Sequence, residues 1–255
     1  MDIGILGPLT VRARGGQRPA VPTAPKPRQL LALLVARAGT VVPVDVLVDE
    51  LWENTPPRSA LTAVRTYIVQ LRQSLARTHA TGTADPAGDV LPFAGWGYRL
   101  LVDPDRVDAA VFVRQAELGR RALLDGDHSR ASLHLHGALR LWRGPALADV
   151  RIGPHLLAHR TTLEELRLGV VEQRAEADLR LGRHRQLIGE LTELTVRYPL
   201  HENLHSLLII ALYRDGRADQ ALGAFAALRE NLREQLGIDP SPRVRSLQEA
   251  ILTSS

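Results

Sequence analysis

The sequence predicts a mainly α-helical protein with a small β component, in which an N-terminal winged helix-turn-helix precedes an all-α, tetratricopeptide-like stack of helix hairpins. Three observations lead there. The first hundred residues run as short β segments, three helical segments and a closing hairpin, whereas from Asp103 onward only helical periodicity remains. Gly182 and Gly216 stand 34 residues apart, the length of one helix-hairpin repeat. The excess positive charge is confined to the first part: up to Leu101 there are 11 basic and 7 acidic residues, and the remainder balances at 21 against 21. The predicted domains are residues 1–102 and 103–255.

The segment DIGILGPLTVRA alternates loosely around Gly7–Pro8, and RGGQRP reads as a turn, so a small antiparallel sheet is expected at the start. After Pro25 and Pro27, RQLLALLVARAG has helical spacing and a glycine stop at Gly39. VPVDVLVDELW predicts a second helix with Asp45 as its N-cap. Pro56–Pro57 close the connection, and Ser59 can cap a third helix running to about Ala76. Thr81 to Gly88 is a Gly/Ala/Asp/Pro loop, and VLPFAGWGYRLLV predicts a β-hairpin turning at Gly95–Trp96–Gly97.

The third helix carries the chemistry. At 100° per residue, Leu61, Val64, Ile68, Leu71 and Leu75 form one apolar stripe, the expected core face. Opposite lie Thr62, Thr66, Gln70, Gln73 and Arg77, while Arg58, Arg65 and Arg72 line a flank. No acidic residue occurs between Glu53 and Asp85. An ordinary surface helix interleaves acids with bases; a helix in the DNA major groove instead aims short hydrogen-bonding side chains at base edges and guanidinium groups at phosphates. The expected DNA contacts are Arg58, Thr62, Arg65, Thr66, Tyr67, Gln70, Arg72, Gln73 and Arg77, joined on the wing by Trp96, Tyr98 and Arg99. Trp96, between two glycines, could stack on a sugar or insert at the minor groove, whereas Trp52 and Trp142 sit among apolar neighbours and read as core.

Beyond Asp103 the helices break at Gly126, Gly144–Pro145, Gly153–Pro154, Gly182, Pro199, Gly216 and Gly237. Aligned on three of these glycines, Ala131 and Leu135, Leu187 and Leu191, and Ala221 and Phe225 fall at matching offsets, so three degenerate hairpins are expected. Val244, Leu247, Ile251 and Leu252 form a stripe suited to a terminal capping helix.

One motif points elsewhere. HENLH, His201 to His205, matches the H-E-x-x-H pattern that places two imidazoles one helical turn apart on a zinc ion. A catalytic zinc needs a third protein ligand, and the following LLIIALYRDGRADQAL offers no histidine, so the match reads as accidental. His155 with His159, and His134 with His136, read as solvated or interface residues. No catalytic residue, cofactor or metal is expected. The chain has no cysteine, which removes disulfides and thiolate chemistry and fits a reducing compartment. Its N-terminal segment does not read as a signal peptide, and its apolar runs are short for a membrane span. On the residues alone three classes remain: a DNA-binding activator, which leads; a scaffold whose winged helix serves only as an interaction surface; and a zinc hydrolase.

In order along the chain, ILGPLTV, RQLLALL…AGTVVPVDVLVDELW, RTYIVQLRQSL, GYRL, LRLWRGPALADV, ADLRLGRH, ALYRDGRADQAL and LGIDPSPRVRSLQEAIL resemble the actinobacterial (Streptomyces) antibiotic regulatory protein family nearly end to end. The resemblance implies a response-regulator-type winged helix followed by a bacterial transcriptional activation domain. It also implies binding to direct repeats in promoters, recruitment of RNA polymerase with its sigma factor, and head-to-tail pairing on DNA in the nucleoid of the cytoplasm, with no membrane partner. The resemblance is to a small, minimal member, for which no receiver domain is expected before the winged helix and no ATPase module after the repeats. Where the family commonly has Ser-Arg before the Leu-Arg of its recognition helix, this chain has Val69–Gln70. Gln favours adenine where Arg favours guanine, so the resemblance carries over the binding mode and not the operator sequence. A fragment ending near Asp105 is expected to keep DNA binding.

Overall fold

The computed structural model describes residues 1–12, 21–76 and 90–253. The RGGQRP turn, the loop from Thr81 to Gly88 and Arg77 lie outside the described residues. Cα packing divides the chain into two compact units, Met1–Glu117 with Gly137–Leu168, and Leu118–His136 with Gly169–Ser255.

In the first unit, β1 (Asp2–Gly4) pairs antiparallel with β2 (Thr10–Arg12), Ile3 opposite Val11. Helix α1 (Pro25–Ala36) opens on proline, whose fixed φ suits the first turn and whose missing N–H would have no partner there. Leu30 to Val35 are buried without a gap, so α1 is the centre of this unit's core. A short strand β3 (Val41–Pro43) leads into α2 (Val44–Trp52), and α3 spans Ala60–Ala76. Asp45 is not the N-cap of α2: Pro43 holds that position, and Asp45 accepts from the Val46 N–H at 2.8 Å within the first turn.

The expected hairpin forms, with Ala94 N–H donating to Gly97 O at 2.8 Å and Leu101 N–H to Val90 O at 2.8 Å. Its returning strand β4 (Gly97–Arg99) also pairs antiparallel with β3, Val42 opposite Tyr98. A Cβ on Gly97 would come within 2.1 Å of the Val42 carbonyl oxygen, so only glycine allows this approach.

After a 3-10 turn at Pro104–Arg106 come α4 (Asp108–Leu124), α5 (His128–Leu139) and α6 (Pro154–Arg180). The segment between α5 and α6, which holds WRGPALADV, is knitted to the first strands. Arg143 N–H donates to Leu6 O at 2.8 Å and Leu147 N–H to Ile5 O at 3.0 Å. The Asp108 carboxylate accepts from Ile5 N–H at 2.8 Å, from Leu6 N–H at 3.1 Å and from the Arg143 guanidinium at 3.0 Å. The Glu50 side chain of α2 is buried at the start of α6, where it accepts from Gly153 N–H at 2.8 Å, His155 N–H at 2.9 Å and Leu156 N–H at 3.0 Å. Gly153–Pro154 brings no capping side chain of its own, and Glu50 supplies the negative charge that a helix N-terminus favours.

The second unit contains the hairpin turns α4–α5, α6–α7 (His184–Arg197) and α8 (Glu202–Arg214)–α9 (Ala218–Leu236), with α10 (Pro242–Thr253) against α8 and α9. Gly126, Gly182 and Gly216 close the three hairpins with φ of 74°, 75° and 79°. After each, the next N–H reaches back to a helix carbonyl: Asp127 to Ala122 at 2.9 Å, Arg183 to Asp178 at 2.9 Å and Arg217 to Leu212 at 3.0 Å. All six residues at the aligned offsets, from Ala131 to Phe225, are buried. On α10, Val244 and Ile251 are buried, but Leu252 is 57% exposed and leaves the expected stripe.

Candidate nucleic-acid interface

Helix α3 buries Ala60, Val64, Ile68, Leu71 and Leu75. Leu61, expected in that stripe, is 55% exposed. The stripe is centred near Val64 and Leu71, and Leu61 stands at its margin, where Ala60 takes the inward place. The opposite surface presents Thr62, Arg65, Thr66, Val69, Gln70 and Gln73, all exposed, with Arg58 exposed just before the first turn and Tyr67 half-buried. Thr66 donates its hydroxyl to Thr62 O at 3.0 Å, which leaves its oxygen lone pairs facing outward as acceptors. Among the described residues no acidic side chain pairs with Arg58, Arg65 or Arg99. The face therefore combines free cations with amide and hydroxyl groups, the two sets of groups that hold phosphate and read base edges.

Two expected contacts have other occupations. The Arg72 guanidinium donates to Leu91 O from Nε at 3.0 Å and from NH2 at 2.8 Å, and lies 5.9 Å from the Tyr98 ring centroid. It ties α3 to the root of the wing instead of projecting toward phosphate. Tyr98 is a core residue, only 8% exposed, because β4 turns it inward beside β3. Trp96 and Arg99 are exposed on the wing as expected. Phe93, which the sequence reading missed, is exposed there too, edge-on to Tyr98 at 5.2 Å between ring centroids. A cleft between α3 and the wing is lined by Val44, Leu61, Val64, Arg65, Phe93 and Tyr98.

Lys26 lies 4.0 Å above the Trp52 ring, and burial and then the nearby Arg151 lower its pKa. Trp52 is accordingly half-buried under a cation, and Trp142 is half-buried edge-on to Phe112 with Arg167 4.5 Å over its ring.

HENLH straddles the start of α8. His201 precedes the helix and its Nε2 lies 3.0 Å from Glu172 Oε1, whereas His205 points into the core at 4% exposure. Burial lowers the His205 pKa, against the nearby backbone of Ala224 and Pro199, which favours the proton. Glu202 holds the terminal helix, accepting from Ser241 N–H at 2.7 Å. Among the described residues no group of three His, Asp or Glu side chains gathers where it could hold a metal ion. His155 pairs with Asp49 at 3.0 Å, and His136 with the buried Asp178 at 3.0 Å; Asp178 also accepts from Ser132 at 2.7 Å. No helix among the described residues is long and apolar enough to cross a membrane.

A winged helix whose third helix bears an exposed, acid-free face, in a chain that also holds stacked helix hairpins, is a DNA-binding regulator of transcription. Comparison with known proteins is in agreement. Residues 17–100 match the family described as transcriptional regulatory protein, C terminal, and residues 107–252 match the bacterial transcriptional activator domain. The regulatory protein DnrI of Streptomyces peucetius is 49% identical over 99% of this chain and 92% of its own length. The transcriptional regulator RedD of Streptomyces coelicolor is 36% identical over 99% of this chain and 70% of its own. A solved structure of Mycobacterium tuberculosis EmbR in complex with a low affinity phosphopeptide superposes with a TM-score of 0.91 at 38% identity, covering 100% of this chain and 65% of that one. The chain belongs to the Streptomyces antibiotic regulatory protein family: it is a DNA-binding transcriptional activator and not an enzyme.

Proposed function

We propose that this activator serves one antibiotic gene cluster, binding direct repeats in its promoters as a head-to-tail pair and bringing RNA polymerase with its sigma factor to them. The observation that carries this reading is the exposed, acid-free surface of α3 with Arg58 and Arg65 free of acidic partners among the described residues. In the proposed complex Arg58 and Arg65 hold phosphates, Thr62, Thr66, Gln70 and Gln73 face base edges, and Tyr67 borders the groove. Trp96 and Arg99 on the wing meet the adjacent backbone or minor groove. Gln70 is matched to adenine. Residues 1–102 provide the DNA contacts and residues 103–255 the contacts with polymerase and with the neighbouring protomer, in the nucleoid of the cytoplasm and with no membrane partner.

A winged helix has no two-fold axis of its own, so two copies side by side read the same sequence twice in one direction. Their half-sites must lie about 10–11 bp apart, or a multiple of that, to present one face of B-DNA. In a reconstituted system, the full chain protects two repeats in a footprint and raises transcription from the linked promoter. Inserting half a helical turn between the repeats removes cooperative protection and activation; cooperativity that survives the insertion rules the head-to-tail pair out.

A further inference from the structure

Val69 is an apolar side chain within the exposed polar face of α3. At 100° per residue it stands 40° from the line through Gln73, closer than Gln70, which stands 60° away. It is 49% exposed, and its neighbours one turn away along the helix are Arg65, Thr66, Arg72 and Gln73. A lone exposed valine is ordinary on a solvated surface; what singles this one out is its place among the side chains that the groove reading aims at base edges. In the major groove one base presents an apolar group among polar edges: thymine, through its C5-methyl. We propose that Val69 is a specificity-determining residue that packs against a thymine methyl in each half-site.

This rests on the reading of α3 as the groove-facing helix and adds to it the kind of base that one of its positions selects. Val69 has no hydrogen-bonding group, so it contributes nothing to a base that offers only polar edges. Its contribution is the removal of one methyl group and part of its own surface from water. That predicts a modest and position-specific effect, about fourfold in affinity for a single buried methyl. It also predicts that removal of the methyl and truncation of the side chain are not additive, since both delete the same contact.

The test uses the full chain and a duplex selected by it from a random-sequence pool. Each thymine of the selected half-site is replaced singly by deoxyuridine, which removes the methyl and keeps every hydrogen bond. The expected result is one position per half-site where the replacement weakens the wild-type protein about fourfold and leaves Val69→Ala unaffected, with Val69→Ile retaining the discrimination. Penalties in Val69→Ala equal to those of the wild type, or no penalty at any thymine, overturn the proposal. Arg65→Ala measured on the same duplexes keeps the two readings apart. If it weakens binding to every duplex, α3 faces the groove and only the role of Val69 is at stake; if it weakens none, the groove reading itself fails.

Discussion

Arg65 and Arg72 stand two turns apart on the same flank of α3, yet their surroundings assign them different work. Arg65 has no acidic partner among the described residues, so Arg65→Ala should lower affinity for all DNA sequences and reduce the salt slope by about one unit, the loss of one phosphate contact. Gln70→Ala should leave affinity for random DNA almost unchanged while relaxing preference at particular base pairs by about 1–3 kcal/mol. Arg72→Ala frees the Leu91 carbonyl and the wing, and should lower thermal stability by about 1.5–3 kcal/mol, because two hydrogen bonds from a charged group are lost. Unfolding measurements separate it from Arg65→Ala, since the Arg65 guanidinium makes no hydrogen bond to the wing among the described residues; equal stabilities of the two variants would show that Arg72 is not a clamp.

His205 gives a second test at a single side chain. Its pKa in the folded chain is lowered by burial below the ordinary 6.5, so the unfolded chain takes up a proton first as pH falls. Stability should be fully present above about pH 6.5 and decline below it. His159 is lowered for the same reason, with Arg37 adding to burial, and contributes in the same direction. Thermal unfolding followed from pH 8 to 5 should show that decline, with a shallower slope in His205→Leu; an unchanged slope would mean that His205 does not titrate on unfolding.

Helices α4, α6, α8 and α9 were legible because each announces its apolar period and runs into a glycine within two residues of its end. Gly126, Gly182 and Gly216 needed no structure to be read as hairpin turns, and all three adopt the positive φ that such turns require. Strand β3 was not legible, since three residues, Val41 to Pro43, cannot show alternation. Asp45 was misread as a cap because its residue type suits one, while the chain enters α2 directly from β3 through Pro43. Of the candidate interface, the exposed polar face of α3 was readable from spacing alone. The occupations of Arg72 and Tyr98 were not, because they depend on how β4 lies against β3 and on the Leu91 carbonyl, 19 positions from Arg72. Glu50 was invisible for the same reason: its partners at Gly153, His155 and Leu156 lie more than a hundred positions away. It joins α2 to the start of α6, and Glu50→Ala would strand buried N–H donors at that helix end. The expected loss is about 1–3 kcal/mol of stability, read as a lower unfolding midpoint in denaturant with DNA contacts on α3 intact; an unchanged midpoint would show that the helix start finds other acceptors.

The same bonds bear on where the chain can be cut. The sequence suggests a DNA-binding fragment ending near Asp105, but the first compact unit also includes residues from Gly137 to Leu168. Such a fragment lacks Asp108, Arg143, Leu147 and the Glu50 partners at the start of α6, and so removes these bonds from Ile5 and Leu6 and leaves the Glu50 carboxylate with Gln29 alone. We expect residues 1–105 to be markedly less stable than residues 1–168, and to recover DNA binding only where that longer fragment or the full chain supplies the missing segment. Equal stability of the two fragments would return the boundary to Val102.

The chain contains no cysteine, so a single cysteine can be placed anywhere on it. Gln73→Cys on the exposed face of α3, carrying an iron–EDTA cleaving group, tests most directly that this helix lies in the groove; the unlabelled protein with iron–EDTA free in solution is the control. On a duplex selected by the full chain, the label at position 73 should cut both strands within each protected repeat, and the free reagent should leave the repeats protected. Protected repeats that the label at position 73 leaves uncut would contradict the assignment of DNA recognition to α3.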